Sequence, residues 1–276
     1  MEIRKVKGLY FSGTGTTEKI VARVTAELAR RLGAERTLYD FTTPAARQLD
    51  QFFSADTLAV VGVPVYAGRV PNVLAPYLKE KVRGEGDGLA IPIVLYGNRN
   101  FDDGLIELRD ILEADGLRTA AAAAFIGEHS FSRTLAAGRP DERDLESADA
   151  FARAAAEKIA ALAALPDAPV HVRGETPLRP YYTPRDRQGN PVNILKVKPK
   201  TDPEKCVQCG LCARLCPMGS IDPADPSAVK GICIKCCACV KKCPAGAKYY
   251  DDERYLYHQH ELEEGFARRA EPELFL

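Results

Sequence analysis

The sequence predicts an α/β chain: a doubly wound domain on a five-stranded parallel sheet, followed by a small α+β module organised by cysteines. Three observations carry this. Over the first 165 residues, apolar runs of strand length alternate with amphipathic stretches of helix length, and strands apolar on both faces belong in a parallel sheet covered by helices. The first run passes through a loop of hydroxyls and glycines directly into a helix. Finally, eight of the nine cysteines form one pattern written twice at an offset of 27: Cys206, Cys209, Cys212 and Cys216 before Pro217, then Cys233, Cys236, Cys239 and Cys243 before Pro244.

In chain order, the strands expected are Val6 to Phe11, a weaker one around Thr37 to Tyr39, Leu58 to Val63, Leu89 to Tyr96 and Ala120 to Ile126. The helices expected are Thr16 to Leu32, Val70 to Val82, Leu105 to Ala114 and Asp141 to Ala164, each with an apolar stripe at helical spacing. Such strand–helix alternation is the signature of a doubly wound sheet. Leu165 to Pro199 holds seven prolines among 35 residues, which predicts an extended, stiff connection. The expected divisions are therefore 1–165, a linker at 166–199, a cysteine module at 200–250 and an acidic tail at 251–276, which packs as a short helix or is solvated.

No apolar run is long enough to span a bilayer, and Met1-Glu2-Ile3-Arg4-Lys5 leads into a strand rather than a signal sequence. The expectation is a cytoplasmic protein of a reducing, anaerobic cell. Charge is balanced overall but uneven. Lys196 to Lys248 has ten Lys and Arg against four Asp and Glu, whereas Tyr249 to Leu276 has three against eight. Bound thiolate clusters would offset part of the basic surplus. The aromatic-interleaved basic stripe of a nucleic-acid binder is absent from the sequence.

Three cysteines at equal three-residue steps followed by Cys-Pro fit a pair of [4Fe–4S] clusters. Zinc is the alternative, since Cys-x-x-Cys steps also suit a tetrahedral ion, but zinc knuckles separate two such pairs by a long loop. A disulfide framework suits a short secreted chain better. Cys237, the ninth cysteine, aligns with Gly210 of the first repeat and is expected to pack beside a cluster.

The loop Ser12-Gly13-Thr14-Gly15-Thr16-Thr17 sits between the first strand and first helix. It offers hydroxyls and free backbone N–H groups to a phosphate. Glu18 stands where a dinucleotide fingerprint needs its third glycine, and no Gly-Lys-Ser/Thr follows. Ser12, Thr14, Gly15, Thr16 and Thr17 resemble the FMN-phosphate loop of flavodoxins, with a serine/threonine helix cap as the plainer reading. Two further loops lie at carboxyl ends of strands, where such sheets bind ligands. They contain Pro64, Val65, Tyr66, Ala67, Gly68 and Arg69, and Tyr96, Gly97, Asn98, Arg99, Phe101 and Asp102. Tyr66 and Tyr96 either face the flavin ring or pack the loops. Gly68 is the candidate for a peptide that reorients toward the flavin N5. Glu128-His129-Ser130-Phe131-Ser132 is a third loop, whose His129 touches ring or substrate, or is structural.

With Pro64-Val65-Tyr66-Ala67-Gly68-Arg69, Tyr96-Gly97-Asn98-Arg99, Glu128 to Ser132, Tyr181-Tyr182-Thr183-Pro184 and Lys196 to Thr201, the chain resembles the EFR1-type ferredoxins. These are fusions of a flavodoxin-like domain to a two-cluster ferredoxin. The resemblance implies FMN and two [4Fe–4S] clusters as cofactors. Together with the turn after each third cysteine, it implies crossed ligation: Cys206, Cys209, Cys212 and Cys243 on one cluster, and Cys233, Cys236, Cys239 and Cys216 on the other. The expected function is an intramolecular electron relay that exchanges electrons with redox partner proteins, an acidic ferredoxin or a reductase. The alternative is a flavin-dependent reductase of a small substrate, with His129, Arg69 or Arg99 in contact with it. A third reading, a redox sensor or assembly factor with labile clusters, would give Cys237 a role. No nucleic acid or membrane partner is expected.

Overall fold

In the computed structural model, which describes residues 2–86 and 88–276, apolar alternation gives the sheet its two faces. Met1, the first residue of the predicted start, and Asp87 lie outside the described residues. The first domain runs β1 (Lys5–Tyr10), α1 (Thr16–Leu32), β2 (Glu35–Asp40), β3 (Gln51–Phe53), β4 (Thr57–Pro64), α2 (Ala75–Lys81), β5 (Val82–Gly84), β6 (Gly88–Tyr96), α3 (Gly104–Ala114), β7 (Leu117–Thr119), β8 (Ala122–Ile126) and α4 (Glu142–Ala160). After the linker come β9 (Lys200–Thr201), α5 (Leu211–Leu215), α6 (Ala238–Lys241), β10 (Lys248–Tyr249), α7 (Glu253–Gly265) and β11 (Glu273–Phe275).

The main sheet is ordered β2-β1-β4-β6-β8-β11, with β7 paired to the start of β6. Its five long strands are parallel, and counted alone they follow the order 2-1-3-4-5 of a flavodoxin-like fold. On β6, Leu89, Ile91, Ile93 and Leu95 pack with α1 and α4 residues such as Ile20, Val24, Leu28 and Phe151. Ala90, Val94 and Tyr96 face the other way, toward Leu78, Leu105, Leu108 and Leu112 of α2 and α3. Both faces are covered, so every residue of β6 is buried. Weakly patterned β2 is the edge strand and keeps most of its residues exposed.

Helix α1 has the bounds the sequence predicts, with Gly33 in the left-handed region as its stop. Helix α2 begins later than predicted: Pro76 lies in its first turn, while Val70 and Leu74 enter the core from the turn before it. The predicted five-stranded sheet gains β7 and β11, each three residues long, too short to show a periodicity.

The acidic segment 251–276 folds back onto the first domain. Asp252 caps α7 by accepting from the Arg254 and Tyr255 N–H groups, and β11 pairs antiparallel with β8. Two arginines pin this return to the start of α4. Buried Arg139 pairs with Asp144 and donates to the Ala270 carbonyl at 2.7 Å, and Arg269 pairs with Asp141. The proline-rich linker is tied down as well. The Glu175 and Arg179 N–H groups both donate to buried Asp103, and the Tyr182 N–H donates to the Ala67 carbonyl. Among the described residues, no helix is long and apolar enough to cross a membrane.

Candidate functional site

Each cysteine run curls around a short helix, α5 or α6, preceded by a residue in the left-handed region, Gly210 or Cys237. These curls leave two cavities of about 360 Å³ each. Cys206, Cys209, Cys212 and Cys243 line one, here termed outer. Cys216, Cys233, Cys236 and Cys239 line the other, the inner, with Cys237 also on its wall. The fourth cysteine of each run thus lies with the first three of the other run. Cys216 and Cys243 sulfurs accept from the Ser220 and Ala247 N–H groups, each at 3.3 Å, which repeats the same contact at the offset of 27.

Among the described residues, no group of three or more His, Cys, Asp or Glu is drawn together around a single-ion site, and all nine cysteines are free thiols. Tetrahedral zinc with bonds of about 2.3 Å would gather its sulfurs closely; these sulfurs stand around cavities instead. Burial pushes the Cys236 and Cys239 thiols up to about 12. A bound cation or cluster deprotonates such thiols outright, and four cysteines around each cavity are a donor set that suits a metal cluster.

The third cavity, about 480 Å³, lies where the hydroxyl loop meets the ends of β4, β6 and β8. Thr14, Thr16 and Thr17 line it at the start of α1, together with Pro64, Val65, Tyr66, Tyr96 and Gly97. The loop is braced from behind, since the Ser12 N–H donates to Thr42 Oγ1 and the Ser12 hydroxyl accepts from the Glu18 N–H. Ser12 therefore supports the loop rather than lining the cavity, as does Gly15, whose φ of 102° makes the turn into α1. A helix N-terminus edged with threonine hydroxyls is suited to a phosphate, and the space fits a mononucleotide flavin by its donors.

The two predicted ring loops differ in outcome. Tyr66 and Arg69 exchange backbone hydrogen bonds of 3.0 and 3.1 Å across Ala67 and Gly68, both at positive φ, a tight hairpin turn. The Gly68 carbonyl accepts from the Asp103 N–H, and a Cβ at Gly68 would lie 2.5 Å from the Asp102 carboxylate. In the second loop only Tyr96 and Gly97 reach the cavity. Asn98 is turned to the carboxyl-terminal segment, donating to the Phe266 and Arg268 carbonyls and accepting from the Ala270 N–H. Phe101 is fully buried against Tyr96, and Arg99 pairs with Asp102 and stacks on Tyr182. Asn98, Arg99, Phe101 and Asp102, expected to bind the cofactor, do not line the cavity: Asn98 holds the return segment and Arg99 the linker, while Phe101 and Asp102 pack and pair within the loop. The partners of Asn98 and the Tyr182 ring on Arg99 lie 80 or more residues away, so local sequence could not reveal them.

Glu128, His129 and Ser130 supply the polar wall. His129 Nδ1 accepts from the Phe131 N–H at 3.2 Å. Burial first, then His258 and Lys241, lowers its imidazole to about 4, so the neutral ring carries its proton on Nε2. Arg69, the other candidate substrate contact, is engaged by Glu107 and the Arg179 carbonyl.

Cys236 lines both the inner cysteine cavity and the hydroxyl-loop cavity. A Cβ added at Gly13 would meet the Cys236 Cβ at 3.2 Å, so glycine permits this approach. The junction is locked by Lys241, whose ammonium pairs with Glu128 and donates to the Ser132 carbonyl, and by Arg47, which donates to the Pro217 carbonyl at 2.5 Å. Lys241, one of the ten basic residues between Lys196 and Lys248, is a clamp between modules. Lys200, Lys205 and Lys230 pair with Asp251, Asp202 and Asp222, which reduces the free basic surface.

Residues 199–222, holding the first cysteine run, match the 4Fe-4S binding domain family. No curated protein matches the sequence. Among solved structures, a flavodoxin from the domain Archaea is 12% identical, with 56% of this chain and 99% of that one covered and a TM-score of 0.41. The flavodoxin of Megasphaera elsdenii is 18% identical, with 55% and 98% covered and a TM-score of 0.34. An NADH:FMN oxidoreductase is 13% identical, with 60% and 92% covered and a TM-score of 0.40. By its strand order the first domain is flavodoxin-like, and the segment that follows the linker carries the match to a 4Fe-4S binding domain.

Proposed function

We propose that this chain relays electrons between FMN in the hydroxyl-loop cavity and two [4Fe–4S] clusters in the cysteine cavities, as an electron-transfer flavoprotein of the EFR1 type. The observation that carries the reading is Cys236, one residue on the wall of both the inner cysteine cavity and the hydroxyl-loop cavity. FMN exchanges electrons in pairs or singly and a cluster singly, so the pair joins two kinds of donor. The residues hold the geometry. Thr14, Thr16 and Thr17 offer hydroxyls to the phosphate, and Gly13 keeps the loop against Cys236. Lys241 and Arg47 prevent the modules from parting.

The outer cavity is the entry point in this reading. Cys209 on its wall is exposed, and exposed Arg214 donates to the Cys209 carbonyl and keeps its charge. That exposed charge offers a docking point to an acidic redox protein.

The test is anaerobic reconstitution followed by rapid mixing with a one-electron donor. One flavin and eight irons per chain are expected, and flavin reduction following cluster reduction should be independent of protein concentration. A rate that rises in proportion to protein concentration would show transfer between molecules and overturn the relay.

A further inference from the structure

The two cysteine runs repeat in backbone as well as sequence just after their fourth cysteines. Gly219 and Gly246 both turn at positive φ, 60° and 62°. The Ser220 and Ala247 N–H groups that follow donate to Cys216 and Cys243 Sγ, each at 3.3 Å. The next residue of each run therefore holds an equivalent place. In the first run it is Ile221, buried on the wall of the inner cavity. In the second it is Lys248, equally buried, on the wall of the outer cavity.

The isoleucine shows that an apolar side chain can fill this place, so packing alone does not call for a lysine. The Lys248 ammonium donates to the Pro226 carbonyl, which also accepts from the Thr201 hydroxyl at 3.2 Å. Pro226 and Thr201 both line the outer cavity. Exposed Lys200, Lys205 and Lys230 each have an aspartate, whereas among the described residues no carboxylate pairs with Lys248. At 3% exposure it also has little water. A buried cation held by one neutral carbonyl is costly unless an anion lies beside it. The anion its surroundings can supply is the cavity's own: Cys206, Cys209, Cys212 and Cys243, as thiolates around an iron–sulfur cluster. Lys235, buried as well, donates to the Leu195 and Cys233 carbonyls, each at 2.9 Å, and lines neither cysteine cavity.

Cluster potential depends on net charge, hydrogen bonds to sulfur and solvent exposure. Reduction adds one negative charge, so a fixed buried cation favours the reduced form over the oxidised one. We propose that Lys248 is the counter-charge of the cluster in the outer cavity and raises its potential, so that this cluster accepts the electron delivered at exposed Cys209. The proposal rests on the relay reading for its cluster. Each reduction adds one electron to one cluster, supplied in the test by dithionite, and no bond is made or broken.

The test is an EPR-monitored redox titration of the full-length protein, with iron and sulfide analysis alongside. Lys248→Ile installs the residue of the first run, and Lys248→Met keeps the length of the stem. Each should lower one cluster midpoint by roughly tenfold in the reduction equilibrium, ~59 mV for a one-electron couple, and move the other less. Because the charge is buried, the shift should have the same size at low and high salt. Lys205→Met, next to Cys206 in sequence but exposed and paired with Asp202, should move neither midpoint. Wild-type midpoints in both Lys248 variants, equal shifts of the two clusters, or a shift that vanishes in salt would overturn the proposal. If Lys248→Ile loads fewer than two clusters, Lys248→Met decides. Failure of both to load, with Lys205→Met loading fully, would give Lys248 a structural role and overturn the proposal too. Near-zero iron and sulfide in wild type would instead sink the relay reading itself, and the counter-charge with it.

Discussion

Replacing Lys241 with methionine keeps the length of the side chain and removes the charge that joins the cysteine module to the flavodoxin-like domain. Breaking a buried ion pair costs about 3–5 kcal/mol, because the remaining charge is left without a partner. The lysine is 11% and Glu128 28% exposed, so water can partly solvate the orphaned carboxylate, and we expect roughly half of that cost, about 2 kcal/mol. At about 1.4 kcal/mol per tenfold, amides that exchange by opening of this junction should exchange ~30-fold faster. The reporters are the Ser132 and Val240 N–H groups, bonded to the His129 and Cys237 carbonyls, read by native-state hydrogen exchange, with β6 amides as internal controls. The pH dependence has a fixed sign. Burial raises the Glu128 carboxyl, but the hydrogen bonds from Lys241 and the Gly138 N–H outweigh it and hold it below its ordinary value of 4.5. The contribution is therefore fully present above 4.5 and is lost as pH falls through the depressed value. Wild type and Lys241→Met should differ equally at pH 6 and 8 and converge in acid. An exchange increase under threefold, or a difference unchanged into acid, would refute the clamp.

Thr14→Ala combined with Thr17→Ala should weaken FMN retention strongly, measured by flavin fluorescence titration, with iron content unchanged; unaltered affinity would remove the phosphate from this loop. Cys237→Gly should leave eight irons bound with little net change in thermal midpoint, because glycine adopts the φ of 57° freely, a gain on the order of 1 kcal/mol that offsets the loss of the buried thiol and its hydrogen bonds. Loss of iron in that variant would make Cys237 a ligand. Arg214→Gln should slow bimolecular reduction by an acidic carrier at low salt, with the difference vanishing as ionic strength rises. A salt-independent effect would mean that Arg214 acts on the cluster rather than on docking.

Short-range order was legible in the residues. The apolar strands β1, β4, β6 and β8 announce themselves because each is buried on both faces, and α1 because its stripe, Thr16 start and Gly33 stop agree. The doubly wound class follows from their alternation, and the repeat at 27 from spacing alone. Tertiary structure decided what these parts do to one another. The ring loop at Asn98 to Asp102 reads locally as ligand-binding, yet its Asn98 amide is satisfied by a return segment, and its Arg99 stacks on a linker tyrosine, both distant in sequence. The acidic end reads as a tail because three residues of β11 carry no period, and its pairing depends on the side of β8 that β6 leaves free, far away in sequence. Lys241 reads as one of a basic run until Glu128 is placed beside it. Secondary structure is written in spacing along the chain, whereas the partner of a buried charge or amide is fixed only when folding closes the distance between residues far apart in sequence.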